Sequence, residues 1–407
     1  MSLVVQKFGG TSVGSTERIE KVAARVCEAR DAGHNVIVVV SAMAGETNRL
    51  VRLAREISAN PLGREVDVLV ASGEQVSVAL LSLAIQERGY EAQSFLAHQV
   101  RIMTEGTHGK ARIVSIAAPI LNQALAAGKT CVVAGFQGMH ADGSVTTLGR
   151  GGSDTTAVAL AAAMEADVCE IYTDVDGIYT ADPNIVSDSR KIGRISYEEM
   201  LELASLGAKV LQTRSVEFAL KYKVPVHVRS SFSSVEGSWV VPEEETMEKV
   251  LVRAVTCDRN QVRVTVIGLP DKPGVAAGLF EPLSAADIGV DMIIQNASRD
   301  AGRTDMTFTV TNEDLASATE IVEGLMPTLG AQGYSTDPEI AKVSVVGVGM
   351  RSHSGVATQA FSAMAEAGVN IQMISTSEIK ISIVIEEKFS EHAVRALHDS
   401  FDLATEV

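Results

Sequence analysis

Four cysteines in 407 residues, Cys27, Cys131, Cys169 and Cys257, fall without CxxC spacing, which argues against both a disulfide framework and a zinc knuckle. The eight histidines show no HExxH or paired spacing, so no resident metal site is implied. Basic residues are short as well: 35 Lys plus Arg face 51 Asp plus Glu, a formal net charge of −16. A phosphate-backbone binder needs a basic surplus, so nucleic acid is an unsuitable partner, whereas a small anionic substrate needs only a local basic pocket. No apolar run approaches the roughly 20 residues of a membrane helix, the richest, 36–44, being about half as long. Residues 1–8 read directly into a strand, with no basic leader and cleavage site. What is present is ordinary globular composition, 46% hydrophobic and 21% charged, over a length of about two to three typical domains. The expectation is a soluble, multidomain protein of a reducing compartment.

Over the first 230 or so residues, short β-branched runs alternate with helical patterns. Residues 36–40, 130–134, 168–172 and 225–228 are apolar enough for a sheet covered on both faces. Ile19, Val22, Ala23, Val26 and Ala29 recur at helical spacing, and Gly33 closes that helix. Ser196 with Glu199 forms a capping-box signal ahead of Met200, Leu201 and Leu203. This alternation predicts a mostly parallel α/β sandwich. An acidic, Pro-led stretch at 242–246 then suits a linker. Beyond it the chain repeats itself: residues 264–268 match 343–347, 273–276 match 354–357, and 289–292 match 368–371. The outer blocks are offset by 79 residues and the middle one by 81, as two balancing indels in a tandem duplication of about 75 residues produce.

Anion sites need backbone N–H groups at a helix start, and two glycine-rich strand–helix junctions offer them. One is residues 7–14, KFGGTSVG; the other is residues 146–155, TTLGRGGSDT, ahead of an alanine-rich helix. Each sets a cation, Lys7 or Arg150, beside its glycines, as a phosphate or carboxylate clamp requires. Neither is a dinucleotide fingerprint, since Asp154 stands where the third glycine belongs, and Gly128-Lys129-Thr130 fails as a Walker A loop because position 123 is Gln. Residues 71–75, ASGEQ, read as a glycine-interrupted helix, with Glu74 on its own a solvated surface acid. Residues 172–183, YTDVDGIYTADP, leave a strand end where open α/β sheets bind ligands, and Ile185 in place of the twelfth-position Glu argues against a calcium loop.

Taken together, KFGGTSVG (7–14), SAMAGETN (41–48), SGEQVS (72–77), TLGRGGSDTTA (147–157), YTDVDGIYTADP (172–183) and LGAKVLQ (206–212) resemble, in order and spacing, the aspartate kinases. The duplicated tail resembles the tandem ACT domains with which that family senses end-product amino acids. The resemblance implies a three-layer αβα amino-acid-kinase sandwich with a mostly parallel sheet, followed by two α+β ACT domains of βαββαβ order. Boundaries are expected at 1–241 for the catalytic domain, 242–261 for a linker and incoming strand, and 262–338 and 339–407 for the ACT domains. The C-terminal segment is expected to be able to return as a strand that completes the first ACT domain.

The implied reaction moves the γ-phosphoryl of MgATP to the β-carboxylate of L-aspartate, with Mg2+ carried mainly by the nucleotide. A carboxylate nucleophile, ordinarily of pKa about 3.9, is already ionised, so positioning and charge stabilisation rather than a general base carry catalysis. By resemblance Lys7 contacts the phosphates and Asp154 orients it, with Gly9, Gly10 and Thr11 supplying donors nearby. Arg150 grips a substrate carboxylate and Glu74 the α-ammonium, with Ser41, Thr47, Gly152 and Ser153 as further substrate contacts. Thr173, Asp174, Tyr179 and Lys209 fall on nucleotide-binding positions. Asp271, Gly274, Val275, Asp291, Gln295 and Asn296 fall where an ACT domain takes an effector, here lysine and/or threonine, with the 242–246 linker transmitting the change. Asn184, Gly289 and Ser354 depart from the usual pattern. A cytoplasmic homo-oligomer built through ACT domains, with a shorter ACT-only subunit begun near Met247, is also implied, at the first step of lysine, threonine and methionine synthesis. The rival reading is a non-catalytic amino-acid sensor, in which Lys7, Arg150 or Asp154 should have decayed.

Overall fold

Strands that must be buried on both faces read as continuous apolar runs, and such runs form the centre of the molecule's first unit. The computed structural model describes residues 2–208, 210–243, 251–297, 302–348, 350 and 354–405. Internal contacts separate two units: Met1–Tyr179, Lys191–Ser205 and Lys209–Met247 form one, and Thr180–Arg190, Leu206–Ala208 and Glu248–Val407 the other.

In the first unit, Leu3–Phe8 (β1), Asn35–Val40 (β2), Ala92–Phe95 (β3), Thr130–Ala134 (β4), Val168–Thr173 (β5), Arg194–Ser196 (β6), Val226–Ser230 (β7) and Ser238–Val241 (β8) form one sheet, ordered β6-β8-β7-β5-β1-β2-β4-β3. All neighbours are parallel except β7 and β8. Residues 36–40 and 131–134 are fully buried. Thr16–Asp31 (α1) begins where Ser15 Oγ accepts from the Arg18 N–H at 3.3 Å, and buries Ile19, Val22, Ala23 and Val26. Ser196 and Glu199 close a reciprocal capping box, both bonds 3.1 Å, and it opens the helix Tyr197–Ser205.

The expectation of a glycine-interrupted helix at residues 71–75 is corrected. The helix is not interrupted: after Glu46–Ile57 (α2), Gly63–Glu87 (α3) runs unbroken through Gly73, whose absent Cβ would come within 2.8 Å of the Ala42 Cβ. By length and composition, α3 is also the one helix among the described residues that could cross a membrane. Half of that stretch is buried in the protein, with Val78, Leu81 and Ile85 packed on the α1 side of the sheet. Gly152–Ala163 (α4) lies deeper still, buried from Gly152 to Ala161.

In the second unit Leu251–Asp258 (β9) leads into the duplication. The first repeat is Val262–Pro270 (β10), Val275–Ala285 (α5), Ile293–Ala297 (β11), Arg303–Val310 (β12), Leu315–Leu329 (α6) and Gly333–Asp337 (β13). The second is Ile340–Val348 (β14), Ser354–Glu366 (α7), Met373–Thr376 (β15), Lys380–Glu386 (β16) and Ser390–Ser400 (α8). Their antiparallel sheets read β11-β12-β10-β13 and β9-β14-β16-β15. The edge that β13 fills in the first sheet is filled in the second by β9, from upstream of both repeats. Among the described residues the C-terminal segment does not return as a strand: residues 390–400 are helical, and Ala393, Val394 and Leu397 are buried in the second core. The first sheet already has β13 at that edge.

Candidate active site

A cavity of about 290 Å³ opens beyond the C-terminal ends of β1, β2 and β4. Lys7, Gly10, Ser41, Thr47, Glu74, Arg150, Gly152, Ser153 and Asp154 line it, so nine of the expected substrate and phosphate residues meet there. Lys7 is near the end of β1 and Asp154 in the first turn of α4; both are nearly buried, and Nζ stands 2.5 Å from Oδ1. Arg150 is exposed in the loop that feeds α4. The α4 N-cap, Gly151, has φ +68°, and a Cβ there would fall 1.6 Å from Gln212 Cγ, so glycine is the residue that lets this turn close.

Glu74 is not the surface acid that its local sequence suggests. It is 2% exposed; Oε1 accepts from the Ala42 N–H at 2.9 Å, while Oε2 is buried without a partner. Burial raises its pKa from 4.5 to about 7, against the pull of that backbone donor. A cation entering the cavity would satisfy the free oxygen.

Three supporting residues escaped the sequence reading. Asp67 on α3 is buried and accepts from Thr147 Oγ1 at 2.6 Å, Thr147 N at 3.0 Å, Gly109 N at 3.1 Å and His108 Nδ1 at 2.8 Å. Arg214 donates to Leu148 O at 2.6 Å and Ala111 O at 3.0 Å, and its burial lowers its pKa. Together they fix the strand end, Thr147 and Leu148, that leads into the glycine loop ahead of α4. Phe136, a cavity wall, holds φ +68°, a strained backbone for a non-glycine residue.

Of the expected nucleotide residues, Lys7 and Gly10 line this cavity, whereas Gly9, Thr11, Thr173, Asp174 and Tyr179 do not. Thr173 ends β5 and its hydroxyl donates to Asp174 Oδ1 at 3.1 Å; Tyr179 Oη donates to Asp176 Oδ1 at 2.7 Å. Gly9 and the exposed Thr11 follow β1, and Lys209 lies outside the described residues. Beneath them the Phe8 and Tyr172 rings stack at 4.6 Å, with the Arg25 and Arg229 guanidinium groups over the Tyr172 ring. Asn184, one of the departures, caps its own turn through Asp182 Oδ1.

Of the expected effector residues, Gly274 (φ +93°) caps α5, Val275 is buried, Asp271 donates its N–H to Gly302 O at 2.8 Å, and Gln295 is exposed on β11. Asp291 pairs with the ammonium of Lys342, which is 2% exposed. The side chains of Asn296 and Ser354 lie outside the described set, as does Met247. A second cavity, of about 370 Å³, is lined by Arg263, Thr265, Ile294, Thr307, Gln372 and Met373 among others, and Asp271, Gly274, Val275, Asp291 and Gln295 are not in its lining. Among the described residues no group of three or more His, Cys, Asp or Glu side chains could hold a metal ion.

The amino acid kinase family matches residues 2–230, and an ACT domain family matches residues 264–324 and 343–401. An aspartokinase of Pseudomonas aeruginosa is 55% identical over 405 residues, covering 99% of this chain and 98% of the relative. Among solved structures, E. coli aspartokinase III with aspartate and ADP (R-state) matches at a TM-score of 0.84 and 29% identity, covering 98% of this chain and 99% of that one. The same enzyme with lysine and aspartate (T-state) matches at 0.76 and 29% identity, with the same coverage. On this fold, this cavity and these matches, the chain belongs to the aspartokinase family, an amino acid kinase domain followed by tandem ACT domains.

Proposed function

We propose that the chain transfers the γ-phosphoryl group of MgATP to the β-carboxylate of L-aspartate, giving ADP and 4-phospho-L-aspartate. The observation that carries this reading is the charge layout of one cavity: a Lys7–Asp154 pair, the exposed Arg150, and a buried Glu74 oxygen with no partner. Glu74 suits an α-ammonium and Arg150 a carboxylate held in a fork, which leaves the second carboxylate of aspartate towards Lys7. Ser41, Thr47, Ser153 and the Gly152 backbone would complete the substrate contacts.

The nucleotide enters as its magnesium complex, over Gly9, Gly10 and Thr11 and against Thr173, Asp174, Tyr179 and Lys209. Two anions must then be brought into line. Lys7, held by Asp154, offsets charge on the transferring group, and no proton need leave the nucleophile. The rate derives from alignment and from the nearly buried Lys7 cation.

Feedback by lysine and/or threonine belongs to the same proposal. The tandem ACT repeats support it, as does the lysine complex of E. coli aspartokinase III. An effector ammonium at Asp291 would have to compete with Lys342. We further propose a cytoplasmic homo-oligomer built through the ACT domains, at the head of lysine, threonine and methionine synthesis. A shorter ACT-only subunit begun near Met247 is part of that proposal. Boundaries near 241, 261 and 338 suit it, with Thr180–Arg190 and Leu206–Ala208 folding with the regulatory unit.

The test is ADP release from MgATP with L-aspartate, the product trapped by hydroxylamine. Aspartyl hydroxamate that lysine plus threonine suppress is the expected outcome. Hydroxamate without suppression would remove the feedback reading, and no turnover by folded protein would remove the kinase.

A further inference from the structure

Chain order and fold part company at residue 180. Ile178–Tyr179 and Lys191–Ile192 pair antiparallel in the first unit, with Tyr179 opposite Lys191. The residues between them, Thr180–Arg190, fold with the second unit. Ala181 and Val186 are 5% and 3% exposed, in one core with Val343, Val345 and Leu397 of the second ACT repeat.

Thr180 commits every polar atom it has. It is fully buried; its N–H donates to Arg190 O at 2.8 Å, and its carbonyl accepts from the β9 Val255 N–H at 2.8 Å. Its Oγ1 accepts from the Arg190 N–H at 2.9 Å and pairs with His398 Nε2 at 3.0 Å. His398, on α8, is fully buried, and its other ring nitrogen has no partner. From the same helix, Arg395 Nε donates to Ile185 O at 2.9 Å.

One peptide bond from this knot on either side are Tyr179 and Lys191. Tyr179 Oη donates to Asp176 Oδ1 at 2.7 Å, and Lys191 Nζ stands 3.7 Å from Asp176 Oδ2. Both stems of the hairpin therefore converge on the turn that carries Asp174. A displacement of Thr180 or Arg190 has to be taken up within that turn, because two covalent stems and one shared carboxylate leave it little slack.

We propose that His398 is a positioning residue for the nucleotide: by holding Thr180 it fixes both stems of the hairpin bearing Asp174, Asp176 and Tyr179, so that the packing of the second ACT repeat sets adenine-nucleotide affinity. This rests on the assignment of residues 173–179 to the nucleotide, and it adds a route between regulatory unit and site that does not pass through residues 242–246. An effector that shifts the second repeat would change ATP binding without approaching the nucleotide.

The experiment uses the full chain, titrated with MgADP by calorimetry and assayed for kcat and both KM values. Thr180→Val keeps the shape and removes the hydroxyl; MgADP Kd and ATP KM should rise about three- to tenfold, with aspartate KM and kcat within about twofold. Thr180→Ser should restore wild-type values, and His398→Leu should match Thr180→Val, with the double variant no weaker than either single one. Should those buried variants fail to fold, Arg395→Met, at a side chain 48% exposed, should still weaken MgADP in the same direction. Asp174→Ala is the control. If it leaves MgADP affinity unchanged, the nucleotide assignment fails and the inference with it. If it weakens MgADP while Thr180→Val and Arg395→Met do not, or if they raise aspartate KM equally, His398 is a packing residue and the inference is overturned.

Discussion

A carboxylate buried without a full set of donors is a residue-scale problem whose solution is a ligand, and Glu74 is in that position. Its pKa lies above the unfolded value, so the folded protein binds a proton more readily than the unfolded chain. The Glu74 contribution to apo stability is therefore fully present below pH 4.5 and is lost as pH rises towards about 7, by up to about 3 kcal/mol. Urea unfolding of the apo protein between pH 5 and pH 8 should show that loss, and Glu74→Gln should show much less. Aspartate binding runs in the opposite sense, because only the ionised form pairs with an ammonium. We expect kcat/KM for aspartate to rise with pH through about 7 and level off, and Glu74→Gln to flatten and lower the profile. Beside it, Asp154→Asn removes the group that holds Lys7, and kcat should fall about a hundredfold with a smaller change in ATP KM, as steady-state kinetics would record. Lys7, Arg150 and Asp154 were legible because each sits in a short glycine-bearing motif. Asp67 was not, since its partners lie 41 to 80 positions away and its neighbours in sequence announce only an apolar helix.

At the scale of elements, sequence patterning read β1, β2, β4, β5 and α1 correctly because their contacts are repetitive: a fully buried strand and a one-faced helix each write their period into the chain. It misread α3. Glycine at position 73 signals a break when only local propensity is weighed, but the close approach of Ala42 makes it a packing residue in an unbroken helix. That helix carries two buried acids with different tasks, Asp67 fully bonded and Glu74 half free. The contrast yields a prediction about the loop ahead of α4, which α3 supports through Asp67. Asp67→Asn puts an amide donor against N–H groups and cannot accept the same four bonds. It should destabilise the protein by about 2–4 kcal/mol in urea unfolding and raise aspartate KM more than ATP KM. A selective rise in ATP KM would mean that this support serves the nucleotide instead.

At the scale of the whole molecule, the three matched blocks made the duplication plain, yet nothing local showed how the second repeat is completed. Val255 of β9 pairs with Val345 of β14, and 345 − 255 = 90 residues separate them, so the register belongs to the fold rather than to any window of sequence. The second core also borrows Ala181 and Val186, and Thr256 Oγ1 donates to Leu206 O at 3.2 Å. A regulatory chain can thus be shortened in two unequal ways. Begun at residue 248 it keeps β9 and both four-stranded sheets, but leaves His398, Thr256 and the Val255 N–H without their partners from residues 180 and 206, at about 1–3 kcal/mol for each group left buried. Begun at residue 260 it also loses β9 and opens the edge of β14, an apolar strand with unpaired backbone groups that invites association. Urea midpoints should therefore fall from the regulatory transition of the full chain, to the 248–407 fragment, to the 260–407 fragment. Amide exchange should find residues 340–348 protected in the longer fragment and open or aggregated in the shorter. Equal protection in both would mean that β9 covers the second sheet without completing it, and that the second repeat folds from its own residues alone.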